Sequence, residues 1–368
     1  MSRWIYGWIL SALAILVILV PACNQFSQVA EETREKIEEL SHKSELAKRD
    51  YERAEQLARE KRNELAIIES QTNRNLQRLQ QSPLIGNSIQ LLQRTQSEIT
   101  IGSWNIKQFG VAKVANLKAM ETLVSVVRQF DVLAIQEIRS KHDQTVLEQL
   151  VNAVNSNGSN YWYVISPLMG DTVQTEQLAF IYDTNRIELM DKGAVVSDPY
   201  QVIQREPMFS RFRTRTQNPS QAFTFVLANV HITPSRSKNE LAALYDIYNW
   251  LSAAAIQNYN EDDVILLGDF NERPSQYGAL WQIQSLAAAV ADGTATNALQ
   301  TKSYDNILFS RQTTPEFTDK SGVMDLQRLY GLSNAEMQDV SDHLPVWATF
   351  HVGEQIPSQY ARQPSGVR

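Results

Sequence analysis

The sequence predicts an α/β sandwich, with helices covering β-sheets, behind a long N-terminal helix. Beyond Gly86, short apolar runs of β-forming residues alternate with amphipathic helical segments, the mixing expected when helices cover sheets. From Glu31 to Gln81 there is neither Gly nor Pro, and the composition turns to Glu, Lys, Arg, Gln, Leu and Ala, which reads as one continuous helix. At 368 residues the chain is long enough for one large core with accessory segments, so two compact domains are not required.

The elements follow in four parts: residues 1–23, 24–97, 98–352 and 353–368. Trp4 to Val20 is an unbroken run of apolar and small residues, preceded by Arg3 and followed by Pro21-Ala22-Cys23. It lies at the short end of the roughly 17–25 residues that cross hydrocarbon. Two outcomes fit: an uncleaved signal anchor, or a bacterial lipoprotein signal cut before Cys23 with the thiol acylated. Arg3 on the near side, with Glu31 and Glu32 beyond, predicts the body of the protein outside the cytoplasm, held by a membrane or lipid anchor. Cys23 is the only cysteine, so no intrachain disulfide can form.

The second part carries a 3,4 spacing through Ile37, Leu40, Ser44, Ala47, Tyr51, Ala54, Ala58, Lys61, Leu65, Ile68, Thr72, Asn75 and Leu79, the seam periodicity of a coiled coil. Its polar members predict weak self-association. A stalk or homodimerising spacer and a solvated single helix laced by i,i+4 ion pairs fit equally.

In the third part, strands are expected at Ile99–Ile106, Val132–Gln136, Tyr161–Ser166, Leu178–Tyr182, Phe223–Val230, Val264–Leu267, Tyr304–Phe309 and Pro345–His351. Helices between them show apolar faces at Leu117, Met120, Val124 and Val127, at Leu147, Leu150, Val151 and Val154, and at Leu241, Leu244, Ile247 and Leu251. Trp104, Trp162, Trp250, Trp281 and Trp347 are read as core, His142 and His351 as surface residues. The polar tail after Gly353, with two prolines, is expected to be disordered.

With 34 basic residues against 41 acidic ones, the chain has no overall basic field, which argues against a DNA-packaging protein and requires any basic surface to be local. The informative pattern is that acidic, amide and imidazole side chains recur at strand ends. Asn105 closes Ser103-Trp104-Asn105, and Glu137 follows Ile135-Gln136. His231 follows Val230, Asp269 and Asn271 follow Leu267-Gly268, Asp305 precedes Ile307-Leu308-Phe309, and Asp342-His343 precedes Leu344-Pro345-Val346. In a mixed sheet, the ends of some strands share an edge with the starts of antiparallel neighbours, so these side chains can meet at one rim. Phosphodiester hydrolysis needs that inventory: hard oxygen ligands for a divalent cation, a base for water and an acid for the leaving oxygen. Carboxylates and amides suit Mg²⁺ or Mn²⁺; zinc is not indicated, for want of a usable cysteine or a paired-histidine spacing.

The blocks Ser103-Trp104-Asn105-Ile106, Ile135-Gln136-Glu137, Gly268-Asp269-Phe270-Asn271 and Ser341-Asp342-His343-Leu344-Pro345-Val346 resemble the endonuclease/exonuclease/phosphatase superfamily over about Ile99 to Val352. Arg205-Glu206-Pro207, Leu244-Tyr245-Asp246-Ile247-Tyr248 and Tyr330-Gly331-Leu332-Ser333-Asn334 resemble its deoxyribonuclease I branch. The resemblance implies a four-layered α/β sandwich, two packed mixed β-sheets flanked by helices, and an endonuclease acting on DNA. It implies that Glu137 and Asn105 bind the catalytic metal and that Asp269, Asn271 and Asp342 complete the phosphate and metal site. His231 and His343 would act as general acid and base, oriented by Glu176 and Asp305 respectively. Arg139 and Arg205 would contact phosphate and groove. Asp292 and Thr294 lie in a stretch resembling the family's calcium loop, which implies a structural Ca²⁺, although its spacing to Asp305 differs.

Two features depart from the family: its cysteine pairs are absent, and Gln174 stands where a tyrosine touches the minor groove. From spacing alone, Arg211, Arg213 and Arg215 would line one face of a strand, as a DNA contact or a solvated row. Two other readings stay open: a phosphatase or phospholipase C-type phosphodiesterase acting on phospholipid or inositol phosphate, and an envelope scaffold without catalysis.

Overall fold

A computed structural model describes residues 31–63, 94–139, 145–170, 175–198 and 201–355, with isolated positions between 66 and 92. The apolar run at 4–20, Cys23, His142, Gln174 and the tail from 356 lie outside the described residues. The chain has two compact units, dividing between Glu69 and Ser70. In the first, helix α1 (residues 31–63) is exposed along its described length and carries the i,i+4 pairs Lys43–Glu39 and Arg59–Glu55, both at 2.6 Å. Ile37, Leu40 and Tyr51 of the expected seam stand uncovered at 61%, 65% and 70% exposure. Among the described residues no helix is long and apolar enough to cross a membrane.

The second unit is built on two mixed sheets. The six-stranded sheet runs β12 (Phe317–Val323), β13 (Val346–His351), β1 (Glu98–Phe109), β2 (Val132–Ile138), β4 (Gln177–Asp183), β3 (Tyr161–Ile165). The seven-stranded sheet runs β10 (Leu286–Ala288), β11 (Asp305–Ser310), β9 (Val264–Asp269), β8 (Thr224–His231), β7 (Met208–Thr214), β5 (Ile187–Leu189), with β6 (Ala194–Val195) also on β7. Helices α2 (Val111–Ala115), α3 (Leu117–Val127), α4 (Thr145–Asn155), α6 (Leu326–Tyr330) and α7 (Asn334–Val340) contribute to the core on the outer face of the first sheet. Helix α5 (Ser237–Tyr259) covers the second.

The period-2 geometry of strands explains why the central runs are apolar without interruption. Val132 and Ala134 of β2 face the core between the sheets, whereas Leu133 and Ile135 face the helices. Ile265 and Leu267 of β9 likewise face the inter-sheet core, and Val264 and Leu266 face α5. Both faces are covered, so both sets must be apolar. The result is the four-layered sandwich expected.

Several expectations need correction. Trp104 alone among the five tryptophans is fully buried. Trp162, on the edge strand β3, Trp250, on the outside of α5, and Trp281 are 57%, 52% and 41% exposed, because an indole can cover apolar neighbours with one face while the other stays in water. Trp250 meets Phe209 edge-on, and the Trp281 indole N–H donates to the Pro274 carbonyl. His351 is half-buried rather than on the surface. On α5, Tyr248 joins Leu241, Leu244 and Leu251 as a buried residue, while Ile247 packs half-buried against the same core. The domain also begins before residue 98, because Arg94 is drawn between Asp131 and Asp183, 2.7 Å from the latter. It continues past 352, because Gly353 pairs with Ala222 and the Glu354 and Gln355 backbone amides donate to Gln221 and Glu316.

Candidate active site

Strand pairing brings the chemistry to one rim. β1 and β2 run parallel, as do β8 and β9, so their C-terminal ends share an edge, with His231 opposite Asp269. Antiparallel β11 starts on that edge, with Asp305 opposite Asp269 on its other side. Glu176 arrives just before antiparallel β4, and His343 in the loop entering β13. Gly268 has φ +152°, and a Cβ there would lie 1.9 Å from the Val230 carbonyl oxygen, so only glycine lets β9 pass β8 closely enough to present Asp269 beside His231. Glu137 and Asn271 adopt left-handed φ values of +64° and +50°, strain of the order of 1–3 kcal/mol; the Asn271 amide nitrogen donates to the Ile232 carbonyl at 2.8 Å.

The two histidines are arranged alike. His231 Nδ1 meets Glu176 Oε1 at 2.6 Å and His343 Nδ1 meets Asp305 Oδ2 at 2.9 Å, each carboxylate being fully buried. Both Nε2 atoms then point at the same atom, Asp269 Oδ2, at 3.6 Å. Burial works against the His343 imidazolium, but Asp305 and Asp269 outweigh it and push its pKa up to about 10. Burial likewise opposes a charged His231; Glu176 prevails and holds its pKa above the ordinary histidine value, with the Arg205 cation working the other way.

Asn105 ties the acidic groups together, its amide nitrogen donating to Glu137 Oε1 and Asp269 Oδ2, both at 3.1 Å. Asp269 Oδ1 accepts from the Asn271 backbone amide at 2.9 Å. Burial disfavours the Glu137 carboxylate, yet His231, the Asn105 amide, the Gln108 backbone amide and Arg139 together hold its pKa below the ordinary carboxylate value. It is therefore an ionised hard-oxygen donor at neutral pH. Asp269, Asp305 and His343 also offer ligand atoms within 4.8 Å of one another, and Asp305 Oδ1 is buried without a hydrogen-bond partner. The donor set suits a hard divalent cation. Because His343 holds its proton firmly whereas Glu137 is ionised, the Glu137–Asn105 side of the rim is the better fit. Asp342 stands at the edge, paired with Lys107 at 3.3 Å.

The structure places other expected residues behind, beside or away from the rim. Arg205 is 4% exposed; it donates to the His231 carbonyl and the Thr233 hydroxyl and lies 3.7 Å from Glu176, so it braces the His231–Glu176 pair from behind instead of lying open as a groove contact. Arg139 directly follows β2 and is half-buried beside Glu137, with Nε buried and unpartnered. Arg211 pairs with Asp191 at 3.1 Å, Arg213 with Glu188 at 2.6 Å, and Arg215 with Glu188 at 4.0 Å. β7 runs antiparallel to β8, with Arg213 opposite Thr224, so at about 3.3 Å per residue this neutralised row is roughly 20 Å from His231. Asp292 and Thr294 are exposed, and Asp292 joins no cluster of three His, Cys, Asp or Glu ligands among the described residues.

Sequence reasoning missed Thr296, whose hydroxyl donates to Asp305 Oδ2 at 2.7 Å and accepts from the Asp305 backbone amide at 3.0 Å, fixing the carboxylate that orients His343. It also missed Trp104, whose indole N–H holds the His343 carbonyl at 3.0 Å. Below the rim, Gln136 donates to Ser103 and Asn229, and Asn229 donates to the Ile135 and Ala179 carbonyls, a buried polar floor joining the two sheets.

A model of the endonuclease/exonuclease/phosphatase family matches residues 102–343. Deoxyribonuclease-1 of Homo sapiens is 28% identical over 262 residues, covering 67% of this chain and 90% of the relative. Deoxyribonuclease gamma of Mus musculus is 29% identical over 263 residues, covering 66% and 82%. Among solved structures, the human nocturnin catalytic domain with bound sulfate aligns with a TM-score of 0.47 at 15% identity, covering 71% of this chain and 95% of that one.

Proposed function

The chain belongs to the endonuclease/exonuclease/phosphatase family, and on that premise we propose that it is an endonuclease that cuts DNA with Mg²⁺ or Mn²⁺. Phosphoester hydrolysis follows from the family; DNA as the substrate is supported by the deoxyribonuclease relatives, which align over two thirds of the chain. The observation that carries the chemistry is the pair of imidazoles, each backed by a buried carboxylate and both presenting Nε2 to Asp269 Oδ2.

Glu137 and Asn105, with Asp342 at the edge, would hold the cation, which supplies Lewis-acid polarisation of the phosphoryl oxygen. Asn271 and Arg139 are suited to contact the phosphate, and Arg205 to hold the His231–Glu176 pair in place. His343, whose proton is held by Asp305, Asp269 and Asp342, serves as the acid that protonates the leaving oxygen. His231, whose hold on a proton is opposed by burial, raised by Glu176 and tempered by Arg205, serves as the base that takes one from the attacking water. Glu176 and Asp305 fix the tautomers, so that both Nε2 atoms face the reacting groups. The apolar run at 4–20 supports an anchored position on the far side of a membrane, with α1 as a spacer.

The direct test is plasmid nicking: supercoiled DNA should be relaxed in Mg²⁺ or Mn²⁺ and stay intact in EDTA. Hydrolysis of phosphatidylinositol beside untouched plasmid overturns the DNA reading. The acid and base assignment has its own test in the pH profile of kcat/KM, which should be a bell with an acid limb set by His231 and an alkaline limb set by His343. Asp305→Asn removes the carboxylate that keeps His343 protonated, lowers its pKa and should move the alkaline limb to lower pH while the acid limb stays. Glu176→Gln should move the acid limb down instead. Movement of the same limb in both variants rejects the assignment.

A further inference from the structure

At the pole opposite the active site, a second group of carboxylates joins the two sheets. Asp263 immediately precedes β9, six residues or about 20 Å of strand from Asp269. Glu261 is two residues further back, Glu316 immediately precedes β12, and Glu354 follows β13. Asp263, Glu316 and Glu354 offer ligand oxygens within 4.8 Å of one another, and Asp263 does the same with Glu261 and Asp262. Glu261, Asp263 and Glu316 are 3%, 2% and 0% exposed, and among the described residues no Lys, Arg or His forms an ion pair with any of the five.

The carboxylates are held by one oxygen and bare at the other. Glu316 Oε1 accepts from the Gln355 backbone amide at 2.6 Å, while Oε2 is buried without a partner. Glu261 Oε1 accepts from the Asp263 amide at 3.0 Å, while Oε2 is buried and bare, as is Asp263 Oδ1. Glu354 Oε1 is fixed by the Thr224 amide at 2.9 Å. The Thr314 hydroxyl, 1% exposed and outside good hydrogen-bond geometry with any group, is aimed at the Asp263 carboxylate. Unpaired buried charges are strongly unfavourable, so this arrangement takes up either a cation or protons: burial raises the pKa of Glu261, Asp263, Glu316 and Glu354, and the Glu316 and Glu354 carboxyl groups lie close enough to share a proton when no cation is bound. Separations up to 4.8 Å suit oxygens arranged around one ion at 2.3–2.6 Å, the calcium–oxygen distance.

We propose that Asp263, Glu316 and Glu354, supported by Glu261 and the Thr314 hydroxyl, form a calcium site that staples the two sheets at the pole remote from the active site. The ligands are all oxygen, which disfavours zinc. They are numerous, irregularly placed and carboxylate-rich, which suits Ca²⁺ better than the octahedral, water-retaining Mg²⁺. Exposed Glu354 supplies the way in. The site is independent of the DNA-cutting reading and of the Asp292 turn.

Thermal unfolding of the full chain tests this, first in EDTA and then across a titration with calcium chloride. Saturation should raise the Tm of the unsubstituted chain by about 5 °C, with magnesium chloride giving a smaller shift. Glu316→Gln should abolish the calcium-dependent rise and leave plasmid nicking in Mg²⁺ unchanged. Glu354→Gln, at the exposed edge, should move the calcium midpoint to higher concentration and serves if Glu316→Gln folds poorly. An equal rise in the unsubstituted chain and both variants traces calcium to another place and overturns the site. So does an unsubstituted chain indifferent to calcium whose stability in EDTA increases on Glu316→Gln, the result expected of a cluster neutralised by protons.

Discussion

Replacing His231 or His343 with alanine is expected to lower kcat for plasmid nicking by about 10²–10⁴-fold in each case, the range for a lost proton-transfer group. The double variant should fall little below the weaker single one, because acid and base act in one transition state and their losses do not multiply. Removing His231 leaves Glu176 buried and short of its 2.6 Å partner. Breaking a buried pair in this way costs about 3–5 kcal/mol. Arg205, 3.7 Å from Glu176, keeps the loss toward the low end of that range. Melting curves should accompany the kinetics, and a folded double variant that still nicks DNA at the unsubstituted rate sinks the mechanism.

The same contacts explain what could be read from sequence. Strands buried on both faces announce themselves as unbroken apolar runs, so β1, β2, β8, β9 and β11 were legible nearly to their ends. β5, β6 and β10 have two or three residues each, too few for a period to show. β12 carries Thr318-Asp319-Lys320-Ser321 on an edge facing water and reads as a loop. At the site, residues whose backbone position dictates their placement, such as His231 and Asp269 at the ends of paired parallel strands, followed from local pattern and family resemblance. Residues whose role depends on what distant chain brings to them did not. The alternate spacing of Arg211 and Arg213 gave the shared face correctly, but not that Asp191 and Glu188 would neutralise it. Arg205 sits in a motif that suggested contact with DNA, and only the packing of β8 over it shows that its guanidinium is occupied by His231 and Thr233. The remote acidic pole was illegible for the same reason: Glu261-Asp262-Asp263 looks like an ordinary charged turn until Glu316 and Glu354 arrive.

The other large effect is expected at Asp269. Its Oδ2 is the atom at which three residues converge: it accepts from Asn105 at 3.1 Å, which also holds Glu137, and lies 3.6 Å from both imidazole Nε2 atoms. Asp269→Asn keeps the shape, and with Oδ1 retained as the oxygen it still accepts from the Asn271 amide. Oδ2 then becomes a nitrogen, so two donors face each other across the Asn105 contact and one must turn away, taking the orientation of Glu137 with it. Lost negative charge lowers the proton affinity of both imidazoles at once, so both limbs of the pH profile should move to lower pH. Neither orienting variant does that. Combining displaced Glu137 with altered acid and base, kcat should fall by about 10³-fold, while the fold persists because β9 keeps its apolar faces. A kcat within tenfold of the unsubstituted chain, with only one limb displaced, means that Asp269 does not couple the two histidines and that the rim works as two independent halves.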